Sequence, residues 1–361
     1  MIKIVTIIGA RPQFIKASVL SRLIQKDNQL HETIIHTGQH YDKNMSDVFF
    51  DEMEIPKPKY NLKIQSKLHG EMTGLMMSEI EKIALIESPD CILVYGDTNS
   101  TLAGALVASK LNIKLAHVEA GLRSFNNNMP EEINRIITDR ISNILFCPTK
   151  NSLKNLEKEG FDNFEGKKII KNGDIMFDAL IFYSERAIKN NIQFDEEFIL
   201  CTFHRAENTD NDENLLTILK AINEIGKQIK IIFPIHPRTK SKIERIDSNY
   251  KLKYFNVDFC DPLGYIDMIS HIKKCKYVIT DSGGLQKEAF FMKKMCLTLR
   301  NQTEWIELVE GGYNYLSEIN FTKILEINSK ILSTTKPFTE EFYGDGNSGK
   351  IIINELKKLL K

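Results

Sequence analysis

The sequence predicts an α/β fold with two Rossmann-like, doubly wound domains that face a cleft. Three observations lead to this prediction. The chain has 361 residues, which is enough for two hydrophobic cores. Short apolar runs alternate with longer segments of helical periodicity, and the alternation begins again near residue 198. Because apolar strands separated by helices form parallel sheets covered on both faces, we expect one such sheet in each half.

The apolar runs predict the strands, and the periodic segments predict the helices. In the first half, the expected strands are 2–8, 32–36, 91–95, 114–118 and 144–147, and the expected helices lie near 14–25, 72–87, 100–111 and 131–142. In the second half, the expected strands are 198–202, 230–235 and 277–280, and the expected helices lie near 214–228, 265–274 and 285–292.

Residues 161–174 contain two glycines and are expected to join the domains. This gives an N-terminal domain over 1–168 and a C-terminal domain over 174–343. The remaining segment, 344–361, ends in an amphipathic helical pattern, and we expect it to pack back on the first domain.

Charge and composition argue against several classes of protein. Lys plus Arg and Asp plus Glu both total 48, and a net charge of zero argues against a general binder of nucleic acids or anionic membranes. The chain begins with a strand-like run and has no apolar stretch long enough to span a bilayer, so we expect a cytoplasmic protein. The six cysteines form no CxxC pair, which favours reduced thiols.

A first candidate anion site is the glycine turn at Gly9, which follows the first expected strand and opens a helix. Backbone can approach a ligand closely at glycine, and helix N-termini attract anions, so Arg11 and Lys16 stand where a phosphate would bind. The alternative is that both are solvated surface cations. The turn lacks the GxGxxG pattern, which argues against a tightly held NAD cofactor.

A second candidate anion site follows the strand 277–280. Ser282, Gly283 and Gly284 offer backbone donors at a helix start. Glu288 would lie about one turn further on, where a carboxylate can accept hydrogen bonds from ribose hydroxyls. The alternative is an ordinary glycine-rich helix cap.

Acid–base candidates follow strands in both halves. Asp97 and Glu119 come after neighbouring strands, Glu131 opens the next helix, and His204 follows the first strand of the second half. Carboxylates and an imidazole at one cleft can form a proton-transfer pair with separated pKa values. Each of them alone is more often structural, for example as a helix cap.

Metal and nucleoside triphosphate sites are not expected. The histidines show no HExxH or comparable spacing, so the sequence predicts no metal. Residues 344–350 imitate a P-loop, but Ile351 replaces the Ser or Thr that would hold Mg²⁺.

An ordered set of motifs resembles the non-hydrolysing UDP-N-acetylglucosamine 2-epimerases over nearly the whole chain. The motifs are GARPQFIK at 9–16, HTGQHYD at 36–42, YGDTNS at 95–100, HVEAGLRS at 117–124, PEEINR at 130–135, FHRAEN at 203–208, HPR at 236–238 and SGGLQKE at 282–288. The resemblance implies two Rossmann-like domains in a GT-B-like arrangement and a homodimer. With no dinucleotide fingerprint in the sequence, we expect no cofactor.

The resemblance also implies a role for each candidate residue. Some bacterial members of the family bind a second UDP-sugar that activates them, which adds an effector site to the substrate site. The residues implied in acid–base chemistry and substrate contact are Asp97, Glu119, Glu131 and His204. Those implied in substrate binding are Arg11, Lys16, His236, Ser282, Gly283, Gly284 and Glu288. Those implied in binding the effector are Gln39, His40 and Arg205.

Departures from the commoner family pattern bear on the sugar. Gln13 stands where many members have Glu, and Trp305 stands in a segment that more often reads Thr-Glu-Arg-Pro-Glu. Both features resemble the branch that acts on UDP-2,3-diacetamido-2,3-dideoxyglucuronic acid, a surface-polysaccharide precursor. We therefore expect Gln13 and Trp305 to help select the sugar ring.

The resemblance implies a particular chemical route. The C2 proton of a UDP-2-acetamido sugar is not next to a carbonyl, so simple deprotonation is prohibitive. Breaking the C1–O bond to UDP and removing the C2 proton gives a glycal, which takes UDP back together with a proton on the opposite face. The alternatives are a hydrolysing 2-epimerase, a glycosyltransferase of the same architecture and a non-catalytic UDP-sugar sensor.

Overall fold

The computed structural model describes residues 1–39, 54–65, 68–187, 196–250, 253–254 and 256–361. These residues form two compact units, one of Met1–Ala179 with Glu341–Lys361 and the other of Leu180–Glu340. None of the helices in the described ranges is long and apolar enough to cross a membrane.

The first unit is built on a parallel sheet, which has seven strands among the described residues. The strands are β1 Ile2–Ile8, β2 Leu30–His36, β3 Tyr60–Asn61, β4 Cys91–Tyr95, β5 Lys114–Val118, β6 Ile144–Cys147 and β7 Lys168–Lys171. The helices that accompany them are α1 Arg11–Gln25, α2 His69–Glu87, α3 Asn99–Lys110, α4 Pro130–Ile141, α5 Lys150–Lys158 and α6 Ile175–Ala187, the last of which runs into the second unit.

The strand order in this sheet is β3-β2-β1-β4-β5-β6-β7. The order reverses between β1 and β4, which are parallel neighbours. In doubly wound sheets, ligands bind outside the carboxyl ends of the strands at such a reversal. Here the residues at that position are Gly9 and Arg11 after β1, and Gly96 and Asp97 after β4.

The second unit repeats this design with a six-stranded parallel sheet in the order β10-β9-β8-β11-β12-β13, counted over the described residues. Its strands are β8 Phe198–Thr202, β9 Lys230–Pro234, β10 Val257–Cys260, β11 Val278–Thr280, β12 Cys296–Thr298 and β13 Asn314–Leu316. Its helices are α7 Ala206–Thr209, α8 Asp212–Gly226, α9 Pro237–Tyr250, α10 Tyr265–Lys274, α11 Gly283–Phe291, α12 Ile306–Glu310 and α13 Phe321–Ser333. The order reverses between β8 and β11, which are followed by His204 and Ser282 respectively.

The last helix, α14 Ser348–Leu359, belongs to the first unit and lies against α1. A Cβ at Gly349 would come within 2.7 Å of Val19 and 2.9 Å of Leu23, so glycine allows this close approach. The amides of Ser348 and Gly349 donate to the Asp178 carboxylate at 3.2 and 2.8 Å. The stretch that imitates a P-loop therefore begins a helix whose first donors are used by Asp178.

The prediction of two doubly wound α/β domains is confirmed. Residues 161–174, which we expected to be a linker, hold β7, and β7 pairs with β6 at the edge of the first sheet. The compact units divide later, between Ala179 and Leu180. The cysteines are free thiols, five of them buried, and burial raises the pKa of Cys91 to about 12.

Candidate active site

The glycine turn after β1 is held by two hydroxyl groups. A Cβ at Gly9 would lie 2.0 Å from Thr37 Oγ1 and 2.3 Å from Ser100 Oγ, so only glycine fits here. These two hydroxyls are 2.8 Å apart and hydrogen-bonded, and Ser100 Oγ also donates to Gln39 Oε1 at 2.8 Å. The turn thus joins the carboxyl ends of β1 and β2 to the start of α3.

Gln13, which we expect to help select the sugar ring, lies beneath this turn and is buried. Its side chain is 1% exposed. Its Oε1 accepts from the amides of Gly9 and Ala10 at 2.8 and 3.1 Å, and its Nε2 donates to Tyr95 O and Thr101 Oγ1 at 2.9 and 3.0 Å. Both donors and the acceptor are therefore engaged, and Gln13 fixes the β1 turn against the end of β4.

Lys16 forms a largely buried ion pair with Glu119 at the same edge of the sheet. The pair passes close to Gly96, where a Cβ would lie 3.2 Å from Lys16 Nζ and 3.5 Å from Glu119 Oε2. Gly96 also has φ +64°, which favours glycine. The candidate cation Lys16 therefore contacts the candidate carboxylate Glu119 directly beside the turn that carries Asp97.

Glu119 has a left-handed backbone, with φ +78°. Non-glycine residues in this region are strained, and such strain is found most often at functional sites. The strain is supported locally, because the amides of Glu119 and Ala120 both donate to Phe146 O, at 3.1 and 3.0 Å. Glu119 is thus held in an unfavourable conformation that aims its carboxylate at Lys16.

Asp97 is paired with Arg135, which lies on α4. Arg135 Nη2 is 2.5 Å from Asp97 Oδ2, and Arg135 Nη1 is 2.8 Å from Glu132 Oε2. Asn134 adds a bond from its Nδ2 to Asp97 O at 2.8 Å. These contacts fix both the side chain and the backbone of Asp97 relative to α4.

The two glutamates at the start of α4 have different environments. Glu132 is buried and accepts from the amides of Ser124 and Phe125 at 2.9 Å each, in addition to its bond from Arg135. Glu131 is exposed. Of this pair, only Glu131 presents its carboxylate to solvent, so it is the one that can reach a ligand.

In the second unit, the buried Asp281 organises the segment after β8. Its carboxylate accepts from the amides of His204 and Arg205, at 3.1 and 2.9 Å, and from Asn208 Nδ2 at 2.9 Å. His204 Nδ1 lies 3.7 Å from Asp281 Oδ1, and about half of the imidazole is exposed. Asp281 thus joins the end of β8 to the end of β11 and leaves the His204 ring accessible.

The glycine turn at the start of α11 is braced from below by Trp305. The indole Nε1 donates to Gly283 O at 3.0 Å, and Lys287 Nζ lies over the indole ring, 3.9 Å from its centroid. Arg300 forms two bonds of 3.1 Å to the neighbouring Glu304. Trp305 is 5% exposed, so the expectation that it selects the sugar finds no support in its position.

The remaining second-unit candidates lie near the same sheet edge. Ser282 and Gly283 are half-buried, Gly284 is exposed, and Glu288 is buried one turn into α11. The amide of Ser282 donates to Thr280 Oγ1 at 3.0 Å, which closes the turn. His236 follows β9 and is exposed.

A family model described as UDP-N-acetylglucosamine 2-epimerase matches residues 22–357 of the chain. The chain belongs to this family. It is 50% identical to the UDP-2,3-diacetamido-2,3-dideoxy-D-glucuronate 2-epimerase of Pseudomonas aeruginosa, over 99% of this chain and 100% of that one. It is 51% identical to a UDP-N-acetylglucosamine 2-epimerase homolog of Methanococcus maripaludis, again over 99% and 100%.

The fold agrees with that of a solved member of the 2-epimerase family. The crystal structure of the Methanocaldococcus jannaschii UDP-GlcNAc 2-epimerase, in complex with UDP-GlcNAc and UDP, matches with a TM-score of 0.89 and 44% identity. The match covers 99% of this chain and 100% of that one.

In this 2-epimerase, the residues that sequence reasoning missed are those that support the candidates. Arg135 and Asp281 each hold a candidate through an ion pair or hydrogen bonds. Arg135 had a sequence signal, since it lies four residues after Glu131 and therefore on the same side of α4. Asp281 directly precedes Ser282 in the sequence, but nothing in the sequence pairs it with the end of β8.

The effector candidates of this 2-epimerase are described only in part. Gln39 is half-buried, and its Oε1 accepts from the amide and the hydroxyl of Ser100. His40 lies outside the described residues. Arg205 follows His204, and its guanidinium lies 3.8 Å from Glu207.

Proposed function

We propose that this chain is an isomerase that inverts C2 of a UDP-2-acetamido sugar by elimination and re-addition of UDP. The observation that carries the proposal is the arrangement after β4 and β5, where Asp97 and Glu119 are each paired with a cation beside the same glycine, Gly96. Inversion at C2 needs a proton acceptor and a proton donor on opposite faces of one carbon. Two carboxylates fixed at neighbouring strand ends suit that requirement.

In this mechanism, Asp97, Glu119 and Glu131 supply the bases and the acid. Asp97 and Glu119 are held by Arg135 and Lys16, so neither needs to reorient when the substrate binds. Glu131 is exposed in the first turn of α4 and is the carboxylate with most freedom to meet the departing UDP. His204 contributes an accessible imidazole beside the buried Asp281.

The departing UDP develops negative charge at its diphosphate. Backbone donors at the start of α11, from Ser282 to Gly284, face this charge in the proposal, together with Arg11 and His204. Glu288 then accepts from the ribose, and His236 lines the nucleotide. Such preorganised donors stabilise the leaving group without a metal or a redox cofactor.

The sugar has two candidates. UDP-N-acetylglucosamine is supported by the family model and by the Methanococcus maripaludis relative. UDP-2,3-diacetamido-2,3-dideoxyglucuronate is supported by the Pseudomonas aeruginosa relative, which is equally similar. Either product would supply the synthesis of a surface polysaccharide.

Solvent exchange at C2 tests the reaction. The protein is incubated in D₂O with each UDP-sugar in turn, and the sugar is followed by NMR. Deuterium at C2 together with the 2-epimer is expected for the true substrate, and its absence with both sugars would overturn the proposal. Free UDP that accumulates without an acceptor indicates a hydrolysing epimerase, whereas UDP that appears only with an acceptor indicates a glycosyltransferase.

A matched pair of variants separates the enzyme from a UDP-sugar sensor. Asp97→Asn, after the carboxyl end of β4, should lose C2 exchange. Asp90→Asn, just before the amino end of the same strand, removes a charge but keeps an oxygen that can accept from Lys3 N, now 2.8 Å from Asp90 Oδ2, and should leave exchange unchanged. A sensor would show no turnover in either protein.

We also propose that the protein is a homodimer that buries an exposed apolar face of α2. Leu75 and Ile86 lie eleven residues apart, on one side of the helix, and are 42% and 72% exposed. Light scattering after gel filtration should give twice the mass of the chain, and Leu75→Lys with Ile86→Lys should give the monomer. A monomeric parent protein would contradict this proposal.

The effector site is proposed at Gln39, His40 and Arg205. A second UDP-sugar bound there would make the rate rise sigmoidally with substrate concentration. Arg205→Gln should make that curve hyperbolic, because the second UDP-sugar no longer activates the enzyme. A hyperbolic curve in the parent protein would exclude activation by the substrate itself.

A further inference from the structure

His117 is wholly buried at the carboxyl end of β5, and both of its ring nitrogens face acceptors. Nδ1 lies 2.7 Å from Asp139 Oδ1, and Nε2 lies 2.7 Å from Gly96 O. Asp139 is on α4 and is also wholly buried. The mechanism above uses neither side chain.

The contacts determine where the protons are. A carbonyl oxygen cannot donate, so the bond to Gly96 O requires a hydrogen on His117 Nε2. The second oxygen of Asp139 accepts from Gly121 N at 3.0 Å and from Arg123 Nη1 at 2.7 Å, so that oxygen carries no proton, and the adjacent guanidinium charge favours the ionised carboxylate. With Asp139 ionised, the contact of 2.7 Å to its Oδ1 requires a second hydrogen on His117 Nδ1, and this geometry corresponds to an imidazolium.

The electrostatic surroundings of Asp139 agree with this assignment. Burial acts to raise the pKa of Asp139, but the His117 and Arg123 charges outweigh burial and hold that pKa below its ordinary value. Arg123 is itself held from the other side by Glu159, with bonds of 2.6 and 2.8 Å. Each buried charge in this network thus has a neighbour of opposite sign.

This ion pair connects the three elements that carry the candidate carboxylates. Gly96 immediately precedes Asp97, and a bond to its carbonyl fixes the plane of the peptide that joins the two residues. Gly121 closes the strained turn of Glu119, and its amide is held by Asp139. On α4, Asp139 lies four residues after Arg135, the partner of Asp97.

We propose that the buried His117–Asp139 ion pair is the positioning unit of the acid–base site, and that its charge holds the Asp97 turn, the Glu119 turn and α4 in register. The inference rests on the proposed epimerase function. Neither residue reaches the substrate in this view, and both act through the backbone and through α4. An error of about 1 Å in such an arrangement can cost about a hundredfold in rate.

The Asp139→Asn variant tests the charge while preserving the shape. An asparagine can still accept from Gly121 and Arg123 through Oδ1, and its amide can donate to a neutral His117, which keeps its bond to Gly96 O. The expected result is a loss in kcat of about a hundredfold, with KM within about threefold of the parent. Glu159→Gln, which removes a charge from the same network but touches neither turn, is the matched control and should keep its kcat.

Nitrogen NMR of the ¹⁵N-labelled protein measures whether each ring nitrogen of His117 carries a hydrogen, which a purely structural role would not require. Both nitrogens of His117 should carry hydrogens in the parent at neutral pH, and one should do so in the Asp139→Asn variant. A single N–H in the parent, or a folded Asp139→Asn variant with parental kcat, would overturn the proposal. If that variant fails to fold, His117→Gln, which keeps one donor for Gly96 O, is assayed in its place with the same expected loss in kcat. A parent that shows the double N–H but no C2 exchange would instead refute the epimerase function.

Discussion

Arg135 Nη2 lies 2.5 Å from Asp97 Oδ2, and this contact joins a strand end to a helix 38 residues later in the chain. The guanidinium is 8% exposed and the carboxylate 31%, so Arg135 supports Asp97 from the protein side and leaves part of the carboxylate open. The second contact of Arg135, to the buried Glu132, fixes the guanidinium itself. The orientation of the Asp97 carboxylate is therefore fixed by the protein.

Replacing Arg135 should leave the orientation of the Asp97 carboxylate unfixed. Arg135→Gln is expected to reduce the rate of C2 exchange by about a hundredfold with little effect on KM, because the loss is one of orientation. It should also lower the free energy of unfolding by about 1–3 kcal/mol, since Glu132 loses a charged partner while buried. The checks are steady-state kinetics and urea unfolding.

The matched control is Arg245→Gln, which breaks a solvent-exposed pair with Asp212 on the second unit. It should change neither rate nor stability by a measurable amount. Parental kcat in Arg135→Gln would show that Asp97 does not depend on its partner.

Trp305 should matter for binding of UDP through one hydrogen bond. Trp305→Phe keeps an aromatic ring under Lys287 but removes the donor to Gly283 O, which frees the glycine turn to rotate. We expect the Kd for UDP to rise about tenfold, corresponding to about 1.4 kcal/mol, and KM to change more than kcat. Calorimetric titration of UDP measures the change.

A control for this prediction removes a different hydrogen bond from the same unit. Tyr254→Phe loses the bond of 2.6 Å to Asp247 Oδ1 and should bind UDP like the parent. Equal affinity in the Trp305 and Tyr254 variants would show that the indole only fills space.

Much of the fold could be predicted because the sheet strands are long apolar runs. The ends of β4, β5, β6 and β8 coincide with the predictions, since each strand stops where polar or glycine residues begin. By contrast, β12 and β13 have three residues each, too few for a period-2 pattern to show. Apart from α10, which begins at Tyr265 as predicted, the predicted helices begin one to three residues earlier than expected, because the first helical turn is often polar.

The site could be predicted in part for the same reason. Strand ends show where polar side chains gather, and that was enough to name Asp97 and Glu119. The supporting contacts join segments far apart in sequence, as Asp281 does with His204, and no local pattern reveals them. The burial of Gln13 could not be predicted, because a departure from a family pattern shows that a residue differs and says nothing about whether it is buried.

Gly9 should tolerate no side chain. Gly9→Ala would place its Cβ 2.0 Å from Thr37 Oγ1, and both hydroxyls at this site are buried in a packed layer. We expect a loss of about 1–3 kcal/mol in the free energy of unfolding, which thermal or urea unfolding measures. Gly74→Ala, on α2 with no atom within 4 Å of the new Cβ, should instead stabilise the protein by about 0.5–1 kcal/mol. A soluble Gly9→Ala protein of parental stability would contradict the close approach.

Glu32 should make the protein less stable at neutral pH than at mildly acid pH. Its Oε1 accepts from Thr6 at 2.5 Å, and burial outweighs the hydroxyl groups of Thr6 and Ser21 and raises the pKa of this carboxyl above its ordinary value. The folded state therefore binds the proton more tightly than the unfolded chain does. By linkage, the contribution of Glu32 to stability is fully present below the unfolded pKa of about 4.5 and is lost as the pH rises through the folded value.

Glu32→Gln removes that dependence, because an amide stays neutral and can donate where the carboxylate could not. At pH 7.5 the variant should be more stable by about 1 kcal/mol, which raises the midpoint of thermal unfolding by about 2–4 °C. The advantage should shrink as the pH falls through the folded pKa towards 4.5, where the parent carries its own proton. Glu79→Gln, an exposed glutamate paired with Lys82, should show no such trend. A variant that loses stability at pH 7.5 would mean that the carboxylate is ionised and paired in the folded protein, since only then does its negative charge stabilise the fold.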